Sequence, residues 1–227
     1  RDRGAAHRAG TRPHDVAITG RHRADTARLG RDLARLCEEQ IAFFGELPPM
    51  ERYLFLVTAV DSGHGGLEHR SSCSLLCGRD DLPRRNRPEL SDSYRGFLAL
   101  CSHEYFHLWH VKRIKPAAFI PYDLSTENYT ALLWAFEGFT TYYQHLLLLR
   151  SGLIDAPAYL EMLAQLITRV WRGAGRMKQS LSDSSRDAWI KLYKPDENSA
   201  NATVSYYAKG ALAALALDLI IRRDSDR

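Results

Sequence analysis

From residue 91 onward the apolar positions of this chain recur only at helical spacing, whereas the first 90 residues mix one helical stretch with short β-type runs. Between residues 24 and 44, Leu29, Leu33, Leu36, Cys37, Ile41 and Phe44 follow one another at steps that bury one helix face, and Pro48 and Pro49 end that unit. Residues 53–60 (Y-L-F-L-V-T-A-V) are short and β-rich enough for a buried strand. Residues 67–76 are expected to pair beside it after a turn at Gly63, Gly65 and Gly66. Residues 1–22 lack periodicity apart from a short strand at 15–19 and read as the remnant of an upstream region. Downstream, helices are expected at 92–114, 127–150, 156–173, 185–193 and 204–222, punctuated by loops at 116–126 and 195–201 and by Gly152. Strands first and a helix bundle after predicts an α+β domain over residues 23–227, with no internal repeat.

One motif inside the apolar run 94–114 changes the picture: His103-Glu104-Tyr105-Phe106-His107, an H-E-x-x-H pentapeptide. On a helix the two histidines share a face and can grip one Zn²⁺, with Glu104 beside it as general base; the chemistry indicated is hydrolysis. The competing reading makes both residues ordinary half-buried helix histidines. A catalytic zinc site needs a third protein ligand. Glu137 stands out for that role, as the one charged residue between 128 and 144 in an otherwise aromatic and aliphatic helix. A carboxylate there costs several kcal/mol unless it meets a cation. Zinc is one such cation, and Lys112 or Arg113 is the alternative. Gly138 beside Glu137 would let helices approach closely, whereas Glu127 sits in a first helical turn, where a carboxylate offsets the dipole.

Composition narrows the partners. Residues 1–35 hold nine Arg against four Asp, which leaves a net charge of −1 for the remainder of a chain whose total is +4. These arginines are interrupted by acids and small residues, which fits a solvated edge better than a nucleic-acid arm. Cys37, Cys73, Cys77 and Cys101 lack C-x-x-C spacing and read as reduced core thiols, pointing to a cytoplasmic setting. There is no run of 18 apolar residues, so no membrane span is expected.

Four stretches in order, G-G-L-E-H-R-S-S (65–72), H-E-Y-F-H-L-W-H-V-K-R-I-K-P (103–116), E-N-Y-T-A-L-L-W-A-F-E-G-F-T-T-Y-Y (127–143) and S-Y-Y-A-K-G (205–210), resemble the glycyl aminopeptidase family of gluzincin metallopeptidases. The resemblance runs from about residue 20 to the end of the chain. It extends more distantly to the alanyl aminopeptidase and leukotriene hydrolase group, where the interval from second His to Glu is shorter than the 29 residues between His107 and Glu137. It implies a thermolysin-like catalytic domain holding Zn²⁺ through His103, His107 and Glu137, here without the PDZ domain usual in the family and without an upstream β domain. It further implies that Glu68, set by Gly65 and Gly66, holds the free α-ammonium of a peptide substrate, that Glu104 is the base, and that Tyr207 donates to the oxyanion, with Gly or Ala preferred at the N-terminus. Without the resemblance, Glu68 reads as a solvated strand-edge residue, and Tyr206 or Tyr207 as a core aromatic. Two positions depart from the pattern: His69 stands where the distant group has Asn, and His110 where Asn is common in the family, which gives His110 a supporting or alternative-ligand role. The rival functions are a zinc endopeptidase of the same fold and a non-catalytic peptide-binding scaffold.

Overall fold

The alternation in Y-L-F-L-V-T-A-V becomes the middle strand of a sheet: β3 (Tyr53–Val60) buries Tyr53, Phe55, Val57 and Ala59 and turns the intervening residues outward. The computed structural model describes residues 2–9, 12–46 and 50–225, residues 2–8 through their backbone only. The sheet has five strands in the order β1 (Asp2–Ala9), β2 (Arg12–Thr19), β3, β5 (Ser72–Gly78), β4 (His64–Glu68). The pairs β2/β3 and β3/β5 are parallel, while β1/β2 and β4/β5 are antiparallel. A parallel neighbour needs a crossover, and α1 (Thr26–Phe44) supplies it between β2 and β3. Asp25 caps this helix by accepting from the Arg28 N–H, and Gly45 closes it with its N–H on the Ile41 and Ala42 carbonyls. The expected stop at Pro48 and Pro49 lies outside the described residues.

The chain divides into two compact units, residues 1–113 with 144–156, and residues 114–143 with 157–227. The first holds the sheet, α1 and α2 (Asp92–Phe106), with a core built from Leu29, Leu33 and Leu36 of α1, Phe55 of β3, Leu75 of β5 and Leu98 of α2. All four cysteines are free and buried in it. The second unit is helical: the first part of α3 (Leu133–Arg150), most of α4 (Ala156–Arg172), then α5 (Leu181–Arg186), a π-helical turn at Ala188–Leu192, α6 (Ser199–Ala202) and α7 (Tyr206–Asp224). Residues 199–224 are long and apolar enough to cross a bilayer by length and composition alone. The N-terminal half of α7 nevertheless buries Tyr206, Ala208, Gly210, Ala211 and Ala214.

Several elements differ from the sequence expectation. Residues 2–19 contribute two full strands, with His14, Val16 and Ile18 of β2 turned inward. The segment expected as one strand at 67–76 is two, β4 and β5, broken between Glu68 and Ser72. The helix expected to Ile114 ends at Phe106 and the one expected from residue 127 begins at Leu133, where Thr130 accepts from the Leu132 N–H.

Candidate active site

In the first unit the H-E-x-x-H residues close α2. His103 and Glu104 lie in its last turn, and His107 is the C-cap, its N–H bonded to the His103 carbonyl. The two imidazoles are 4.7 Å apart, edge to face. Each has its Nδ1 fixed: that of His103 lies 2.7 Å from Gln144 Oε1, and that of His107 lies 2.9 Å from the His110 carbonyl oxygen. A ring whose Nδ1–H donates to oxygen presents Nε2 as a ligand, the tautomer and orientation that zinc-binding histidines carry. This donor set fits a zinc ion. The chain turns sharply after His107, with the Lys112 N–H on the His107 carbonyl, and this turn brings the His110 carbonyl back to the ring. His110 therefore supports His107 through its backbone.

Glu104 is buried and packs against β4. A Cβ at Gly66 would lie 2.5 Å from the Glu104 Cδ and 2.7 Å from its Cγ, so only a glycine leaves that carboxylate its place. Gly65, by contrast, faces open space. Glu68, two residues further along β4, joins the group: one oxygen each of Glu68 and Glu104 and one His107 nitrogen lie within 4.8 Å of one another. Lys112 places its Nζ 3.0 Å from Glu68 Oε1, with both side chains about one-fifth exposed, and Arg113 pairs with Glu46. The two cations considered as partners for Glu137 thus have partners within their own unit. β4 is an edge strand, paired to β5 alone among the described residues.

The second unit brings Glu137 and the tyrosines together. Helices α3 and α7 cross glycine to glycine: a Cβ on Gly138 would sit 2.6 Å from the Gly210 Cα, and one on Gly210 would sit 2.5 Å from the Trp134 carbonyl oxygen. The close approach expected of Gly138 is therefore made with α7. Burial first, then the Glu137 carboxylate, push the Tyr207 phenol far above its ordinary range; Tyr206 is raised by burial and Tyr193. Both phenols are neutral donors at any physiological pH. The rings of Tyr206 and Tyr207 stack with centroids 4.6 Å apart, so exposure rather than direction separates them: Tyr206 is buried and Tyr207 half-buried. Thr141, next to this group on α3, is buried. Lys209 is structural, its Nζ donating to the Arg176 and Gln179 carbonyls.

Sequence reasoning missed three participants: Gln144, Tyr193, and Lys112 as the partner of Glu68. Gln144 carried a signal, since it follows Glu137 by seven residues and so shares its helix face.

The model of the M61 glycyl aminopeptidase family matches residues 96–213. A crystal structure of an aminopeptidase N family protein from Idiomarina loihiensis shares 49% identity, with a TM-score of 0.96, in a match covering 98% of this chain and 38% of that one. An M1 zinc metallopeptidase from Deinococcus radiodurans, bound to a Tyr-Ser-Ala substrate, shares the fold at 20% identity and TM-score 0.55, covering 97% of this chain and 40% of that one. Yeast LTA4 hydrolase in complex with bestatin does so at 16% and 0.57, covering 96% and 30%. The chain thus spans well under half the length of these relatives. No curated protein sequence matches it.

Proposed function

Because this chain belongs to the M61 glycyl aminopeptidase family, we propose that it carries the catalytic centre of a gluzincin zinc aminopeptidase, which removes small N-terminal residues such as Gly or Ala from peptides. The observation that carries the proposal is the close group of Glu104, His107 and Glu68, with both imidazoles pinned at Nδ1. His103 and His107 hold the metal through Nε2. Glu137, the one charged residue between 128 and 144, is the third ligand in this reading, because a carboxylate in an aromatic and aliphatic helix needs a cation. When bound, zinc polarises the scissile carbonyl and lowers the pKa of water toward ~7. Glu104, held against Gly66, takes the proton of the attacking water and returns it to the leaving amine. The Tyr207 phenol donates a hydrogen bond to the oxyanion. Glu68 binds the substrate ammonium and so measures off one residue, and the open edge of β4 can pair with the extended peptide backbone. The four reduced thiols support a cytoplasmic setting.

The test is release of a chromophore from Gly and Ala anilides, free and N-acetylated, with and without a chelator. We expect the free anilides to be cleaved far faster than the acetylated ones, with both activities abolished by the chelator. Glu104→Gln should retain zinc and lose turnover, because the base is not a ligand. Equal cleavage of acetylated substrates would favour the endopeptidase, and activity indifferent to chelation would reject the zinc mechanism.

A further inference from the structure

Tyr193 emerges from the π-helical turn at Ala188–Leu192, its N–H bonded five residues back to the Ala188 carbonyl. Such a turn carries one residue more than an α-helical one and re-aims the side chains beyond it, a device concentrated at functional sites. Here it delivers the Tyr193 hydroxyl to within 3.0 Å of the Tyr207 hydroxyl and 3.2 Å of the Tyr206 hydroxyl. The neighbouring frame is tied down on both sides. The Ser184 hydroxyl donates to the Val204 carbonyl just before α7, and the Ser185 hydroxyl accepts from the Trp134 N–H at the start of α3.

Each phenol has one proton to donate and two lone pairs with which to accept. Tyr207 can donate to a substrate oxyanion only if its own proton is not spent on Tyr193, so Tyr193 must be the donor between them. The single Tyr193 proton then goes to Tyr207, and Tyr206 must donate to Tyr193. We infer that Tyr193 is a positioning residue, the middle member of a one-way relay Tyr206→Tyr193→Tyr207 that aims and polarises the Tyr207 O–H for the oxyanion. The inference rests on the proposed role of Tyr207. A donor that itself accepts a hydrogen bond is the stronger donor, and its rotor is fixed before substrate arrives. Burial of the Tyr206 ring keeps the head of the relay in place.

The test compares Tyr193→Phe, Tyr206→Phe, Tyr207→Phe and the Tyr193→Phe/Tyr207→Phe pair in the zinc-loaded full chain. It reads kcat and KM on Ala anilide, affinity for a phosphinic dipeptide by calorimetry, and the thermal midpoint. Tyr193→Phe should lower kcat roughly five- to tenfold, the worth of one neutral hydrogen bond, with KM and midpoint unchanged. Phosphinic dipeptide affinity should fall by the same factor, and Tyr193→Phe should add nothing in the Tyr207→Phe background. Tyr206→Phe, which removes only the outer bond of the relay, should lower kcat in the same direction but by less than Tyr193→Phe, and a loss larger than that of Tyr193→Phe overturns the order of the relay. Full activity of Tyr193→Phe beside an impaired Tyr207→Phe overturns the relay alone, as do losses that multiply in the pair or appear in KM or the midpoint. Full activity of Tyr207→Phe removes the end of the relay and the oxyanion assignment together.

Discussion

Glu68 is a carboxylate that already has a cation. Lys112 occupies one of its oxygens, so in the proposed role a substrate ammonium would take the other and sit close to a like charge. Replacing Glu68 by Ala therefore removes an attraction and leaves Lys112 as an uncompensated repulsion. For free peptides the loss in kcat/KM is expected at about 2–5 kcal/mol, the range for breaking one side of a desolvated charge pair. Residual cleavage of N-acetylated peptides should not change, because they bring no ammonium. Steady-state kinetics on both substrate types decide the matter: parallel losses would assign Glu68 to holding β4 in shape.

Among the elements, the crossing of α3 and α7 at Gly138 and Gly210 sets how closely Glu137 approaches the tyrosines. Gly138→Ala drives a methyl into the Gly210 backbone, which cannot move aside as a side chain could. It is expected to cost about 1–3 kcal/mol, as overpacking does, and a denaturation midpoint equal to the parent's would reject the close crossing. Strand β3, helix α1 and the strand-then-helix order were legible because their apolar spacing follows a single period. The helix carrying H-E-x-x-H read too long because Leu108, Trp109 and Val111 are buried like its core residues, and apolar spacing reports burial, not backbone conformation. β2 was read only from residue 15 because one of its inward positions is His14, while Arg12 and Pro13 break the apolar run. The grouping of His103, Glu104 and His107 was legible because the three lie within five residues of one helix end. The Lys112 pairing, Gln144 and Tyr193 were not, since each depends on positions brought together from 14 to 44 residues away in the chain.

For the whole molecule, the acid limit of stability is set in part by His14. It is buried, with Nδ1 on the Arg12 carbonyl and Nε2 on the Tyr105 hydroxyl, and burial lowers its pKa below the ordinary 6.5. A folded value below the unfolded one means that the unfolded chain binds the proton more readily. The stabilising contribution is complete above pH 6.5 and drains away as pH falls through that value toward the folded pKa. The thermal midpoint should accordingly drop between pH 7.5 and 5.5, and His14→Gln, which keeps a donor and an acceptor there, should flatten the profile. A profile as steep as the parent's would place the acid sensitivity elsewhere. The Lys112 ammonium on Glu68 also bears on how quickly a peptide arrives. Before any substrate is present the two charges cancel at short range, and from a distance the pair exerts little pull. Capture then proceeds by close encounter, not by long-range attraction, and stopped-flow association rates for cationic peptides should hold nearly constant as ionic strength rises, where a bare carboxylate would lose rate steeply.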